Sequence, residues 1–214
     1  MANGEIYHVY NRTVANEETF SNSRGISRAL DLIQYYKYAS NLRFSFFNKL
    51  PPEAKGEYLK STKRAALVEI YAYALMPIHF HLLVKQISDK GIEKFLSNFQ
   101  NGYARYYNIR NKRFGALFQR PFKAKHVSTD EELLHLSRYI HLNPVTSYIT
   151  EFENLKTSPI TSLSYYLSDM TNKFINTELV GRLANSRDKY LKFVKDQVSY
   201  QRQLSKIRHL LIEK

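Results

Sequence analysis

The chain has 214 residues, 43% of them apolar, enough to bury a core as one domain or one domain with a tail. A formal net charge of +13 and a pI near 9.7 favour a polyanionic partner, nucleic acid ahead of an anionic membrane surface. Cysteine is absent, which excludes disulfides, thiol catalysis and thiolate metal sites and leaves His, Asp, Glu and amide ligands. No apolar stretch is long enough to span a bilayer, and Met-Ala-Asn-Gly-Glu-Ile-Tyr is no signal core, so a cytoplasmic protein is expected. Seventeen Tyr and thirteen Phe supply both core and surfaces on which exposed bases can stack.

In chain order, Ile6 to Val14 reads as a first strand, and Ile26, Ala29, Leu30, Ile33, Tyr36 and Tyr38 recur at helical spacing. Residues 44–63 read as irregular, with Pro51-Pro52 as a break. Leu67 to Leu75 and Ile78 to Gln86 read as two strands joined by a tight turn at Met76-Pro77. Gly91 opens a second helix with Ile92, Phe95, Phe99, Tyr103 and Tyr106 on one stripe, and Ala116 to Val127 reads as the last strand. Ser128-Thr129-Asp130 with Glu131 and Glu132 resembles a capping box. The helix it starts is expected to stop near Leu142, because Asn143-Pro144 disfavours continuation. The order is β-α-β-β-α-β followed by a helix: an α+β, ferredoxin-like (RRM-like) antiparallel sheet. Residues 1–148 form the expected domain, and residues 149–214 a helical, basic C-terminal extension.

Two spacings carry chemistry. His79 and His81 lie two apart on a strand, so both imidazoles point to one face. In the later helix Leu133, Leu136 and Ile140 form the expected buried stripe, with Glu132, His135, Tyr139 and Asn143 beside it at i+3 and i+4 steps. A closed zinc site needs four ligands, so a partly open Mg²⁺ or Mn²⁺ site, completed by phosphate oxygens and water, fits better. His8, His126, His141 and His209 lack such a setting and read as structural or surface residues.

Four blocks in this order resemble the single-tyrosine HUH transposases, most closely the REP-associated tyrosine transposases: Tyr7-His-Val-Tyr-Asn-Arg12, Ala74-Leu-Met-Pro-Ile-His-Phe-His-Leu-Leu83, Gly115-Ala-Leu-Phe-Gln-Arg-Pro-Phe-Lys123 and Leu136-Ser-Arg-Tyr-Ile-His-Leu-Asn-Pro144. The resemblance spans about residues 5–148. It implies that His79 and His81 hold a divalent metal, that Asn143 completes the metal site, and that Tyr139 is the nucleophile on a single-stranded DNA phosphate. Ile78 stands where Asn is frequent, and Arg120-Pro121 where Gly-Arg is frequent. The implied reaction is nicking and rejoining of hairpin-flanked single-stranded DNA through a 5′-phosphotyrosine, by a monomer or homodimer.

Expected DNA contacts are Arg12, Arg105, Arg110, Lys112, Arg113, Arg120, Lys123 and Lys125, with Tyr103, Tyr106 and Tyr107 as candidate stacking rings. The alternative is a non-catalytic single-strand-binding protein on the same sheet. Binding alone needs none of His79, His81, Tyr139 and Asn143, and their joint presence favours the enzyme. A metal-independent two-histidine phosphoesterase would need two His-x-Ser/Thr motifs, which are absent.

Overall fold

The computed structural model describes residues 1–61, 65–168, 174–200 and 202. Residues 203–214, with His209, and Lys173 lie outside them. Four strands, β1 (Ile6–Arg12), β2 (Val68–Met76), β3 (His79–Gln86) and β4 (Lys123–Val127), form one sheet in the order β2-β3-β1-β4. Every neighbouring pair is antiparallel. With α1 (Ser23–Tyr36) after β1 and α4 (Gly91–Arg110) after β3, this is the expected ferredoxin-like arrangement.

Alternation along β1 divides the two faces. Tyr7, Val9 and Asn11 turn to the α1/α4 side, where Asn11 donates to Gln100 Oε1 at 2.6 Å and Phe80 of β3 meets Phe99 edge-on at 5.2 Å. His8, Tyr10 and Arg12 turn to the other side, in register with Leu83, His81 and His79. That second face is covered by α5 (Asp130–Thr146), which rests mainly on β2. An irregularity between Ile70 and Ala72 resets β2, so that Ala72 and Ala74 pair with Leu83 and His81. The small side chains leave room for α5.

The β2–β3 hairpin turns at Pro77 and Ile78, and its tip is tied down from the first strand's exit. The Ile78 carbonyl accepts from Thr13 N at 2.8 Å and the Pro77 carbonyl from Thr19 N at 2.7 Å. Strand β1 therefore ends at Arg12 rather than Val14, since Thr13 already belongs to this strap. Gly91 opens α4 where no side chain fits: an added Cβ would overlap the Leu67 carbonyl oxygen, a backbone atom that cannot swing away. Gly91→Ala is expected to cost about 1–3 kcal/mol. For a domain of this size that lowers the thermal midpoint by roughly 2–4 °C per kcal/mol, read by calorimetry.

Three expected segments differ. Residues 44–61 are not irregular: Phe44–Phe47 and Pro52–Ser61 form α2 and α3. Pro52 is the first residue of α3, a position where its missing N–H costs nothing, so the Pro-Pro pair marks a start. The last strand is only Lys123–Val127. Before it, Val14 N donates to Leu117 O and Gln119 N to Arg12 O as a loop, and Pro121, after a cis bond, has no N–H for a ladder. Helix α5 runs through Pro144 to Thr146, because burial of Leu142 and Val145 outweighs the roughly 3 kcal/mol local cost of an internal proline. Its start is as expected: Thr129 Oγ1 accepts from Glu132 N at 3.0 Å, while Glu132 Oε2 accepts from Ser128 N.

The described C-terminal residues add four short helices, α6 (Phe152–Leu155), α7 (Leu163–Leu167), α8 (Glu178–Leu183) and α9 (Arg187–Lys195). They wrap the β2 edge, where Leu75 N donates to Ile160 O, Ser162 N to Tyr73 O and Asn176 N to Ile70 O. Residues on both sides of position 148 share one core, in which Tyr190 Oη lies 2.9 Å from Ser137 Oγ and from His141 Nδ1. His141 Nε2 also meets Ser162 Oγ at 2.8 Å, which makes it a structural histidine as expected. Among the described residues, no helix is long and apolar enough to cross a membrane.

Full burial holds His141 neutral by lowering its pKa to about 3, against 6.5 for the free side chain. Below pH 6.5 the unfolded chain takes up a proton that the native chain refuses. The stability from this group is therefore present above pH 6.5 and lost as pH falls toward 3, at about 1.4 kcal/mol per pH unit. Thermal midpoints should hold from pH 7.5 to about 6.5 and fall from there to pH 5; a flat profile below 6.5 would contradict a neutral buried His141.

Candidate active site

On the α5 side of the sheet the central strands hold a cluster of imidazoles. His8 Nε2 lies 2.9 Å from His81 Nδ1, so one proton is shared between these two nitrogens, and the rings stack at 5.1 Å. His79 stands edge-on to His81 at 5.1 Å. Tyr10 stacks on His8 at 5.1 Å and on His81 at 5.6 Å, with Lys123 Nζ 6.0 Å from its ring centre.

Helix α5 lowers Tyr139 onto this cluster. Its ring meets His81 edge-on at 5.9 Å and His8 at 6.3 Å. The residue is 37% exposed, and its hydroxyl has no hydrogen-bond partner among the described residues. One turn on, Asn143 is buried, and its Nδ2 has no partner among the described residues. His79 Nδ1 is likewise buried and unpaired. Orphaned polar atoms of this kind are costly unless a ligand satisfies them.

The electrostatics keep the imidazoles neutral. Burial, helped by the nearby Lys125 charge, lowers His8 to about 4. Burial and the Arg12 guanidinium lower His79 to about 4. Burial and the neighbouring rings of His8 and His79 lower His81 to about 3. Neutral rings keep the lone pairs that metal ligation needs. Among the described residues no three His, Cys, Asp or Glu side chains form a group that could hold a metal ion. Two neutral imidazoles without a third such ligand suit an open Mg²⁺ or Mn²⁺ site better than a closed zinc site. The His8–His81 contact occupies Nδ1 and leaves Nε2 of His81 for a ligand.

Of the basic residues expected at DNA, Arg12 and Lys123 flank this cluster in register with His79 and Tyr10, and both are exposed. Arg120 is exposed just before β4. Arg113 is engaged elsewhere: it donates to Asn108 Oδ1 and the Ala116 carbonyl and pairs with Glu17 at 3.5 Å, bracing a turn. Lys125 pairs with Glu132 at 2.8 Å. Arg105 lies on α4, on the opposite side of the sheet. Of the candidate stacking rings, Tyr103 is buried with its hydroxyl on the Thr19 carbonyl, and Tyr107 donates to Glu17. His135 turns aside to Arg138 and Phe193.

His8 and Tyr10 are the site residues that the sequence reading missed. The signal was the β1 alternation, which sets His8, Tyr10 and Arg12 on one face, but only the strand order reveals that this face abuts His81. His8 holds the His81 ring in place through this contact and stack. His8→Phe is expected to weaken Mn²⁺ binding by about 10–100-fold, measured by calorimetric titration. An unchanged affinity would show that His81 needs no such partner.

Residues 34–143, just over half of the chain, match the family described as transposase IS200-like. None of the curated proteins matches. Among solved structures, that of a REP-associated tyrosine transposase bound to a REP hairpin is similar in fold, with a TM-score of 0.55 at 11% identity, covering 81% of this chain and 85% of that one. The match across residues 34–143, with the antiparallel sheet and its tyrosine-bearing helix, places the chain in the IS200-like transposase family.

Proposed function

We propose that the chain nicks and rejoins single-stranded DNA beside hairpins, with Tyr139 as nucleophile and His79, His81 and Asn143 as ligands of Mg²⁺ or Mn²⁺. The observation that carries this reading is the half-exposed, unbonded Tyr139 hydroxyl above neutral imidazoles that include a buried, unpaired nitrogen. Residues 1–148 hold every group involved.

A phenol is a poor nucleophile at neutral pH and needs an electrophile made more reactive. Held by these residues, a divalent metal would supply that by polarising the phosphate and offsetting its developing charge. The remaining tasks fall to side chains. Arg12 and Lys123 draw the phosphodiester onto the β1 edge of the site by charge, and Arg120 extends this surface. His8 holds the His81 ring. Tyr139 attacks phosphorus with its Oη, which gives up its proton. The bond from phosphorus to the 3′ oxygen breaks, and that oxygen leaves as a 3′-hydroxyl. The DNA 5′ end stays on the tyrosine as a phosphodiester, so the bond energy is conserved and a second 3′-hydroxyl can reverse the step without ATP.

Incubation with end-labelled hairpin-flanked single strands, with Mn²⁺, Mg²⁺ or EDTA, tests the reading. Metal-dependent release of a 3′-hydroxyl fragment is expected. Tight binding without cleavage in any condition would favour the non-catalytic single-strand binder.

A further inference from the structure

The loop between α4 and β4 holds a bare aromatic ring on a stiff mount. Phe114 is 93% exposed, the most exposed of the described large apolar side chains, and it makes no ring or cation–π contact among the described residues. The chain on both sides of it is pinned to Asn108 of α4. Arg113 N donates to the Asn108 carbonyl at 2.9 Å and its Nη1 to Asn108 Oδ1 at 3.1 Å, while Asn108 Nδ2 donates to the Gly115 carbonyl at 2.9 Å. Arg113 Nη2 closes the turn on the Ala116 carbonyl at 2.9 Å, and its Nε pairs with Glu17 at 3.5 Å. Lys112 and Gly115 bend the chain before and after the ring, at φ 51° and 88°.

A single exposed apolar side chain is ordinary. Phe114 differs because four hydrogen bonds fix where its ring stands, so a flat ligand meets it with little ordering left to lose. Its surroundings select the ligand. Arg110 and Lys112 precede the ring and Arg120 follows it; all three are exposed, and none has an ion pair among the described residues. Basic side chains around an uncharged ring suit a chain that alternates phosphates with flat bases, and every base has a π-face. The loop also runs alongside the exit of β1, where Val14 N donates to Leu117 O and Gln119 N to Arg12 O, both at 2.9 Å. Arg12 is in register with His79. Five residues separate Phe114 from Gln119, a reach of at most about 18 Å. A strand bound at the histidines therefore meets the ring within a few nucleotides.

We propose that Phe114 stacks on an unpaired base of the strand that leads to the cleavage site, with Arg110, Lys112 and Arg120 on the neighbouring phosphates. The proposal deepens the reading above and rests on its single-stranded substrate. Paired bases keep their faces inside the duplex stack, so the ring favours unpaired DNA, and it does so without reading sequence. Arg12 and Lys123 hold the strand by charge at the histidines, and Phe114 holds it at a second point. Two anchor points limit sliding of the strand past Tyr139.

The test uses the full chain carrying Tyr139→Phe, so that binding is read without cleavage. Fluorescence anisotropy measures the Kd for a hairpin with an unpaired flank, for the same hairpin with that flank paired to a complement, and for a set with one abasic site at each flank position. Phe114→Leu keeps an apolar side chain without a ring, and Phe114→Trp keeps a ring. The Leu variant should raise the Kd for the unpaired flank by about 5–100-fold, the range for one lost stack. The Trp variant should stay within about threefold of the parent, and the paired flank should bind the parent and the Leu variant within about twofold. At one flank position an abasic site should weaken the parent by a factor like that of Phe114→Leu, and should weaken the Leu variant by less than about twofold. Because Phe114 packs against nothing, the Leu variant should keep the parent's thermal midpoint. A smaller loss with Leu, an equal loss with Leu and Trp, or abasic costs alike in both proteins at every position overturns the proposal, as does a parent that binds no unpaired flank. Reduced self-association of the Leu variant in sedimentation, with DNA affinity unchanged, would assign the ring to a contact between copies instead. If the chain with Tyr139 intact binds but never cleaves, the catalytic reading falls and the same Kd values still decide this one.

Discussion

Tyr139→Phe is expected to abolish the covalent protein–DNA adduct while DNA affinity stays within about twofold. The change removes only the hydroxyl, and that hydroxyl has no hydrogen-bond partner among the described residues. With the ring already 37% exposed, the stability change should fall within about 0.5 kcal/mol, so a missing adduct cannot be blamed on unfolding. Cleavage, read as released fragment on a denaturing gel, should drop by at least about 10³-fold, since no covalent intermediate can form. A Phe variant that still cleaves within tenfold of the parent would place the nucleophile elsewhere. Tyr10 is then the first candidate, because its ring also lies against His8 and His81.

The second large effect separates the two histidines by what each leaves behind. His79→Ala removes a ring whose Nδ1 is unpaired, so stability should hardly change or should rise slightly. His81→Ala strands His8 Nε2 in a buried site, a cost of about 1–3 kcal/mol. Both variants should lose Mn²⁺ binding in calorimetric titrations and lose metal-dependent cleavage by at least about a hundredfold, which corresponds to about 2.7 kcal/mol. Equal destabilisation by the two changes, with metal binding intact, would make the pair ordinary core histidines.

Local regularity explains what was legible. Period-two spacing sets His79 and His81 on one face whatever their neighbours, and i+4 spacing does the same for Tyr139 and Asn143. The capping residues around Thr129 act within one turn, so the start of α5 could be read. Its end could not: the penalty at Asn143-Pro144 is local, whereas the burial of Leu142 and Val145 that outweighs it is tertiary. His8 is a further case, since its partner His81 lies 73 residues away and meets it only through strand order. Arg105 and Arg113 show why composition alone cannot assign contacts. One lies behind the sheet, and the other braces a turn against Glu17.

The central claim concerns one atom, the Tyr139 hydroxyl oxygen, and tandem mass spectrometry reads it most directly. The chain is incubated with single-stranded DNA, metal is removed to stop turnover, and nuclease and protease digestion leave the adducted peptide. The account predicts a nucleotide 5′-phosphate on the peptide holding Tyr139, formed with Mn²⁺ or Mg²⁺ and absent with EDTA. A phosphate on any other residue, or cleavage with no covalent intermediate under trapping conditions, would contradict it.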